Sequence, residues 1–345
     1  MKYSIQLCLT ILLIAGLSCK SDSSPSPTPE PPVVIPFQFS KGADVSWITE
    51  MEAGGRKFYN AAGVETEAIA LMKSLGMNTI RIRVWVNPSN GYNNRADVLA
   101  KAIRAKNLGM RIMINFHYSD TWADPGSQTK PAAWASQSIA GLKTSLADHT
   151  RSVLAELKTN GITPEWVQVG NETNNGMLWP DGKATVSMSN FAQLINAGYD
   201  AVKAEFPNAK VIVHISSGND NGLFRWIIGG LKNNNAKFDV IGMSLYPDPN
   251  NWATQNFQCL TNMNDMVSTY NKEVMIVEVG MSWDSSNECK AFLTDLINKT
   301  KSVANNKGLG VLYWEPQCYN NWQGYTKGAF DNSGKPTEAM TAFAN

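Results

Sequence analysis

The sequence predicts a single α/β domain, a (β/α)8 or TIM barrel, over residues 37–345. Eight short apolar segments, rich in β-branched side chains, alternate with longer segments of helical periodicity. Strands this apolar are typical of a parallel sheet that is covered by helices. Eight such units in roughly 300 residues match a closed barrel. A doubly wound open sheet is the alternative, but no glycine-rich phosphate loop follows the first predicted strand.

Each element is predicted from its own segment of the chain. The strands are expected at residues 40–47, 79–86, 111–118, 166–172, 210–216, 240–246, 274–280 and 310–315. Amphipathic helices are expected between them, among others at residues 67–75, 98–108, 142–159 and 191–205. Gly76, Gly109 and Gly161 follow three of these helices, at the position where glycine most often ends a helix.

The composition excludes some classes of function. The chain has 345 residues, 30 of them basic and 29 acidic, so its formal net charge is +1. A nucleic-acid-binding protein needs a basic surface to release counterions, and this balance argues against one. Only 17% of the residues are charged, and 11 Trp and 10 Tyr favour an uncharged ligand. With three His and no HExxH motif, we predict neither a metal site nor a cofactor.

The first 19 residues have the features of a targeting signal. The apolar stretch at residues 5–17 is too short to span a membrane. Cys19 follows it as in bacterial lipoproteins, although Gly16 stands where leucine is usual. We therefore expect a lipoprotein signal peptide at residues 1–19 and a lipidated Cys19 that anchors the protein to the outer membrane at the cell surface. Simple secretion is the alternative. Residues 20–36, rich in Ser and Pro, are predicted to form an extended tether.

Polar and aromatic side chains end the apolar strands all around the predicted barrel. The carboxyl ends of the strands and the loops that follow them carry the active site in (β/α)8 enzymes. In chain order these residues are Asp44, Trp47, Arg81, Arg83, Trp85, His117, Asp120, Asn171, Glu172, His214, Tyr246, Glu278 and Trp314. The pattern predicts one site to which all eight strands contribute.

Two of these residues are glutamates within apolar segments. Glu172 ends the fourth strand and Glu278 lies in the seventh. Since a buried carboxylate must be paired, each could simply be a structural partner of Arg81 or Arg83. Facing each other across the mouth of a barrel, they would instead suit hydrolysis of a glycosidic bond. Their separation would then decide between retention, at about 5–5.5 Å, and inversion, at about 6.5–9.5 Å.

Several longer motifs carry a resemblance to a known family. They are residues 81–88 (RIRVWVNP), 117–125 (HYSDTWADP), 170–172 (GNE), 178–180 (LWP), 244–247 (SLYP), 277–278 (VE) and 313–316 (YWEP). In these motifs the chain resembles the endo-β-1,4-galactanases of glycoside hydrolase family 53, which are retaining (β/α)8 enzymes. The motifs run in order through the whole predicted domain, and the HYSDTWADP motif is specific.

The resemblance implies a role for each matching catalytic residue. Glu172 would be the general acid/base, which needs a raised pKa, and Glu278 would be the nucleophile, which must stay ionised. Arg81 or Arg83, of which we favour Arg81, would keep Glu278 charged. The hydroxyl of Tyr246 would donate a hydrogen bond to the nucleophile.

The resemblance also implies a substrate groove. Asn171 would hold the sugar 2-hydroxyl, and Trp314 would form the floor under the sugar at the cleaved bond. The other predicted substrate-binding residues are Arg81, Arg83, His117, Asp120, Trp122, Trp179, His214 and Tyr246. The two histidines could instead be neutral structural residues and the tryptophans core residues, as we expect for Trp85. His149, in the middle of a helix, is predicted to be a plain surface residue.

The chain also departs from the family pattern. Trp47 stands where many members have serine, which could reshape a sugar subsite. The short loop at residues 280–288 has too few carboxylates for us to predict the calcium site of relatives with a longer acidic loop. Cys289 and Cys318, which follow the last two strands, could instead join the adjacent loops in a disulfide. Cys259 is the competing partner.

The sequence therefore predicts a retaining enzyme, a monomer, that cuts β-1,4-galactan side chains of pectin or arabinogalactan internally. A related barrel glycosidase that acts on another β-linked polymer, such as mannan or xylan, is one alternative. A non-catalytic glycan-binding surface lipoprotein is another, but such a protein would be expected to lack one of the two carboxylates. An aldolase-type barrel would need a strand-end lysine or a phosphate site, and the strand ends have neither.

Overall fold

The computed structural model describes residues 37–344. The predicted signal peptide, the tether and the lipidated Cys19 lie outside the described residues.

Eight parallel strands form a closed barrel in which each strand pairs with its sequence neighbours and β1 pairs with β8. The strands are β1 Ser40–Asp44, β2 Thr79–Val84, β3 Arg111–Phe116, β4 Trp166–Val169, β5 Lys210–Ile215, β6 Val240–Leu245, β7 Glu273–Val279 and β8 Gly308–Trp314. Each overlaps a predicted strand, and the prediction of a (β/α)8 barrel is confirmed.

Helices connect the strands. They are α1 Ile48–Ala53, α2 Ala68–Ser74, α3 Arg95–Asn107, α4 Ile139–Thr159, α5 Met188–Glu205, α6 Asn221–Asn233, α7 Trp252–Tyr270 and α8 Ser286–Lys301. Gly76, Gly109 and Gly161 have φ of +92°, +66° and +65°, the left-handed conformation in which glycine ends a helix without strain. Within the described residues, no helix combines the length and the apolarity that a membrane crossing requires.

Side chains alternate between the two faces of the barrel wall. On β2, for example, Ile80 and Ile82 pack outward under the helices, and Arg81 and Arg83 point inward. The interior is filled by a small apolar cluster: Met113, Trp166, Ile212, Val240, Met275, Val277, Leu309 and Leu312. Inward-pointing polar residues lie above this cluster, toward the carboxyl ends of the strands.

A bulge in β7 interrupts this alternation. Met243 of β6 pairs with Ile276, but the next residue, Ser244, pairs with Glu278, which leaves Val277 as an extra residue. Ile276 packs outward and Val277 inward, so regular alternation would send Glu278 outward under the helices. The extra residue turns Glu278 inward instead, as bulges near active sites commonly do.

The three cysteines of the described chain are free and buried. The expected disulfide between Cys289 and Cys318 is therefore wrong, and Cys259 does not replace either partner. The two thiols pack against different groups, because Cys289 Sγ lies 3.8 Å from the Tyr313 hydroxyl and Cys318 Sγ 3.8 Å from Met51 Sδ.

His149 is not the plain surface residue that its mid-helix position suggested. Its ring contacts the rings of Phe116, Tyr118 and Trp134, because this side of α4 faces the barrel. Burial lowers its pKa to about 4, so the imidazole is neutral at neutral pH.

Candidate active site

The carboxyl ends of the strands surround a cavity of about 550 Å³. Most of the residues that the sequence predicts for the site line it: His117, Asp120, Trp122, Asn171, Glu172, Tyr246, Glu278 and Trp314. Four predicted residues do not line it: Arg81, Arg83, Trp179 and His214. The cavity thus lies where a (β/α)8 fold places its active site.

Glu172 and Glu278 face each other at this cavity. A carboxylate oxygen of one lies within 4.8 Å of a carboxylate oxygen of the other. Glu172 follows β4 with a φ of +43°, a conformation that few residues other than glycine adopt. Two carboxylates this close repel each other when both are ionised, which favours the protonation of one.

The surroundings decide which carboxyl keeps the proton. Burial raises the pKa of Glu172 to about 8, and the negative charge of Glu278 adds to the rise. Burial also raises the pKa of Glu278, but the Arg81 guanidinium opposes this rise from 2.7 Å. The Tyr246 hydroxyl donates to the other oxygen of Glu278 at 3.1 Å. Glu172 therefore keeps its proton at neutral pH, whereas the contacts with Arg81 and Tyr246 favour the ionised form of Glu278.

Arg81 contacts Glu278 from inside the barrel, below the cavity. Its side chain is fully buried, and it pairs with Asp44 at 2.8 Å as well as with Glu278. It also donates to Asn171 Oδ1 at 3.0 Å and to Gln168 Oε1 at 3.1 Å. The predicted contact with Glu278 is present. The expectation that Arg81 binds substrate is corrected, because its guanidinium is engaged by protein groups below the cavity.

Aromatic side chains form an apolar wall beside the carboxylates. Trp314 lies 4.6 Å from Tyr325 and 5.1 Å from Trp47, measured between ring centroids. Trp122 lies 5.4 Å from Trp47. An apolar ring surface with polar groups at its edge suits a sugar, whose ring has apolar faces and a rim of hydroxyls.

A protonated carboxyl and an ionised carboxyl at this separation, beside an aromatic wall, can together cleave a glycosidic bond. Comparison with known proteins agrees. The sequence profile described as "Glycosyl hydrolase family 53" matches residues 40–343. The chain belongs to this family. It is accordingly a glycoside hydrolase.

Relatives of this family 53 enzyme are similar along most of their length. An arabinogalactan endo-β-1,4-galactanase of Thermothelomyces thermophilus is 32% identical over 328 residues, which cover 88% of this chain and 98% of the relative. The enzyme of the same name from Cellvibrio japonicus is 32% identical, with 88% and 89% covered. A solved fungal β-1,4-galactanase superimposes with a TM-score of 0.81 at 31% identity, covering 89% of this chain and 99% of that one.

Arg83 lies behind the aromatic wall of the family 53 site. Its guanidinium lies 4.1 Å from the ring centroid of Trp122 and 3.4 Å from a carboxylate oxygen of Glu315. Both oxygens of Glu315 also accept from the backbone N–H of Trp47 at 3.1 Å. Arg83 therefore supports the tryptophans, which corrects its expected role in substrate binding. Glu315 was missed, although its place directly after Trp314 at a strand end was a usable signal.

The polar residues of the wall also brace the loops. Asp120 accepts from the backbone N–H groups of Asn87 and Ala132 at 3.0 and 2.8 Å, and so joins the loops after β2 and β3. His117 is held by the backbone N–H of Ala123, 3.1 Å from Nδ1. Burial, followed by the charges of nearby arginines, keeps the pKa of His117 well below its ordinary value, so its ring is neutral.

Two predicted groove residues lie elsewhere. His214 is fully buried behind Glu172, with Nε2 2.6 Å from Ser244 Oγ. Trp179 is half-buried, donates to the carbonyl of Asn175 at 2.8 Å and has the Lys183 ammonium 4.7 Å from its ring centroid. Neither side chain lines the cavity. The full burial of His214 corrects the expectation that it binds substrate, and the role of Trp179 stays a prediction. His214 is buried because it lies on the inward face of β5. Trp179 is held away from the cavity by the contacts of its own loop.

Glu172, Glu278 and His214 could in principle hold a metal ion, since one ligand atom of each lies within 4.8 Å of the others. The ligand atoms of Glu278 and His214 already have partners, however. Arg81 pairs with Glu278, and both ring nitrogens of His214 lie within hydrogen-bonding distance of neighbouring polar groups. The donor set therefore fits a hydrogen-bonded acid pair better than a cation.

The cavity also contains residues that the sequence analysis missed. Glu50 and Gln323 meet in its wall, with Gln323 Nε2 donating to Glu50 Oε1 at 3.2 Å. Ser89 and Asn90 line the wall as well. These four residues belong to loops and to the short α1, so no periodic pattern in the sequence pointed to them.

Proposed function

We propose that the protein is an endo-acting, retaining β-1,4-galactanase. The observation that carries the proposal is the approach of a Glu172 oxygen to within 4.8 Å of a Glu278 oxygen. This upper bound fits the roughly 5–5.5 Å of retaining pairs and lies below the roughly 6.5–9.5 Å that inverting pairs need to admit a water. The opposite ionisation of the two carboxyls supports the same mechanism.

The proposed reaction has two displacements. In the first, a carboxylate oxygen of Glu278 attacks the anomeric carbon, and Glu172 gives its proton to the departing glycosidic oxygen. A covalent glycosyl-enzyme results. In the second, Glu172, now ionised, takes a proton from water, and the oxygen of that water displaces Glu278. Two inversions at the anomeric carbon leave its configuration unchanged.

The names of the relatives and the site together support galactan as the substrate. The Thermothelomyces and Cellvibrio relatives, each about a third identical, are both named arabinogalactan endo-β-1,4-galactanases. The aromatic wall of Trp47, Trp122, Trp314 and Tyr325 offers apolar surface for successive sugar rings.

Product analysis tests the proposed substrate and the cleavage mode. The purified protein is incubated with linear β-1,4-galactan, mannan or xylan, and early products are separated by size. We expect galacto-oligosaccharides of intermediate length, from galactan alone. One short product from the outset would contradict internal cleavage. Cleavage of mannan or xylan without galactan would contradict the substrate. Proton NMR during the first minutes should show the β-anomer as the initial product; an initial α-anomer would contradict retention.

The pH dependence follows from the two carboxyls. Glu172 must carry its proton to act as the acid, and its pKa is about 8, so activity is expected below that pH and lost as the pH rises through it. Glu278 must be ionised, so activity is also lost on the acidic side as the pH falls through its raised pKa. We expect a bell-shaped profile of kcat/KM on galactan. An alkaline limb below pH 6 would contradict the assignment of Glu172.

We further propose that the protein is a surface lipoprotein anchored to the outer membrane through Cys19. The apolar segment before Cys19 and the Ser/Pro-rich stretch after it support this. In the variant Cys19→Ala, we expect the protein to leave the membrane fraction of the producing cells for the soluble fraction. Cys8→Ala, earlier in the same segment, is the matched control and should stay with the membranes. Retention of Cys19→Ala in the membrane fraction would contradict the anchor.

A further inference from the structure

A chain of hydrogen bonds runs through the barrel wall from Arg81 to Glu172. Its links are inward-pointing residues of three successive strands: Gln168 of β4, His214 of β5 and Ser244 of β6. All three are fully buried, and none lines the cavity. The direction in which each link donates follows from the chemistry of the Arg81 end.

A guanidinium has hydrogen-bond donors only. Nε and Nη2 of Arg81 lie 3.3 and 3.1 Å from Gln168 Oε1, which must therefore be the acceptor. This fixes the orientation of the Gln168 amide. Its Nε2, a donor with two hydrogens, then lies 2.6 Å from Asn115 Oδ1 and 2.9 Å from His214 Nδ1.

Nδ1 of His214 consequently accepts. The backbone N–H of Glu172 also points at it from 3.3 Å, and neither donor could face a protonated Nδ1. Asn171 Oδ1 lies 3.2 Å from Nδ1 but already accepts from Arg81 at 3.0 Å and from the side-chain amide of Asn115 at 3.1 Å, which fills both of its lone pairs. Burial and the Arg81 charge keep the pKa of His214 well below its ordinary value, so the ring is neutral. Its one proton is therefore on Nε2.

The same donor-to-acceptor direction continues from His214 through Ser244 to the carboxyl of Glu172. His214 Nε2–H donates to Ser244 Oγ at 2.6 Å, and the serine hydroxyl in turn donates to Glu172 Oε1 at 2.7 Å. Glu172 Oε2 has no hydrogen-bond partner among the described residues, and this side chain lines the cavity. The two oxygens of Glu172 are thus in different environments.

We propose that Ser244 is a positioning residue that places the proton of Glu172 on Oε2, the oxygen open to the leaving group. A proton on Oε1 would make the Ser244 oxygen accept from both His214 and Glu172, and the serine O–H would then have no acceptor among the described residues. After Glu172 has protonated the glycosidic oxygen, the same hydroxyl stabilises the carboxylate that takes a proton from water. The inference rests on the proposed acid/base role of Glu172.

The pKa of Glu172 depends on the hydrogen bond from the Ser244 hydroxyl, so it can be used to test the proposal. The titratable groups that face Glu172 are Glu278 on β7, Arg81 on β2, Asp124 after β3 and His214 on β5. Among the described side chains, only Ser244 donates a hydrogen bond to the Glu172 carboxylate, and this bond opposes the rise in pKa that burial causes. A serine with only a packing role would change the stability of the fold without changing this pKa.

The test compares the pH profile of kcat for the parent with that for Ser244→Ala. Loss of the donor should move the alkaline limb upward by about one pH unit, because a hydrogen bond to a charged group has roughly that effect. We expect turnover at neutral pH to fall roughly tenfold, with a smaller change in KM. Ser244→Thr keeps a hydroxyl and should restore the limb to its position in the parent. Ser216→Ala, on the neighbouring β5–α6 loop and bonded to Asn174, is the matched control and should behave like the parent.

A second readout does not depend on the substrate. The carboxyl ¹³C resonance of Glu172, assigned through Glu172→Gln, should titrate about one pH unit higher in Ser244→Ala than in the parent. An unchanged titration and an unchanged limb would overturn the proposal. Circular dichroism shows whether Ser244→Ala folds. If it does not, Ser244→Cys replaces it, because a thiol is close to a hydroxyl in volume but is only a weak donor. The titration of Glu172 should then show the same upward shift. A parent that fails to cleave galactan would contradict the proposed function, and the titration would still decide the role of Ser244.

Discussion

Glu278→Ala is expected to abolish hydrolysis of galactan, with a loss in kcat on the order of 10⁴-fold or more. Without this carboxylate, the proposed nucleophile that forms the covalent intermediate is missing. Binding of galacto-oligosaccharides should change little, because the aromatic wall and Glu172 remain. Initial rates on galactan and calorimetric titration with a galacto-oligosaccharide measure the two effects.

The same variant offers a stereochemical check. Azide can enter the space that the Glu278 side chain leaves and attack the anomeric carbon directly, since it needs no covalent partner. With a galactoside that has a good leaving group, the expected product is the α-galactosyl azide, formed by a single inversion. Glu273→Ala, at the other end of β7 where Glu273 pairs with Lys210, is the matched control and should retain activity. Near-normal turnover in Glu278→Ala would show that the nucleophile is another residue.

Glu172→Ala is expected to lose about 10²- to 10⁴-fold in kcat on galactan, the usual contribution of a general acid/base. The loss should be much smaller for formation of the glycosyl-enzyme from aryl galactosides whose leaving group needs no proton. The alkaline limb of the pH profile should disappear, because the group with a pKa of about 8 has been removed. Rates across a series of aryl leaving groups, each measured against pH, test these expectations.

The product formed with azide distinguishes the proposed roles of the two glutamates. In Glu172→Ala it should accelerate turnover and give the β-galactosyl azide, since it attacks the intact glycosyl-enzyme without needing a base. The matched control is Glu165→Ala, a glutamate at the opposite end of β4 that pairs with Arg111. A parent-like alkaline limb in Glu172→Ala, or an α-azide, would contradict the proposed acid/base.

Much of the architecture could be predicted because it depends on local periodicity. The apolar segments and the glycines that follow the helices identified the barrel, and Arg81, the favoured one of two candidate arginines on β2, does pair with Glu278. Tyr246, at the end of β6, was likewise predicted to contact Glu278, and it does. In each case the residue lies in a strand or at its end, where the fold fixes its direction.

The errors concern contacts that several separate segments create. The expected disulfide failed because Cys289 and Cys318 pack against different residues. Arg83 has the same inward direction as Arg81, yet it pairs with Glu315 behind the tryptophans. Glu50 and Gln323 meet only because loops far apart in sequence close over the same cavity.

The sequence by itself determined the eight strands, the family of the enzyme and the two glutamates at the strand ends, because apolar periodicity and short motifs are local properties. Only the tertiary structure decided where those glutamates point and how they ionise. Glu278 faces the cavity because one extra residue, Val277, enters the pairing of β7 with β6. Glu172 has its raised pKa because folding buries it beside Glu278, while Arg81 pairs with Glu278 and not with Glu172. Register and burial depend on neighbouring strands, so no single segment encodes them.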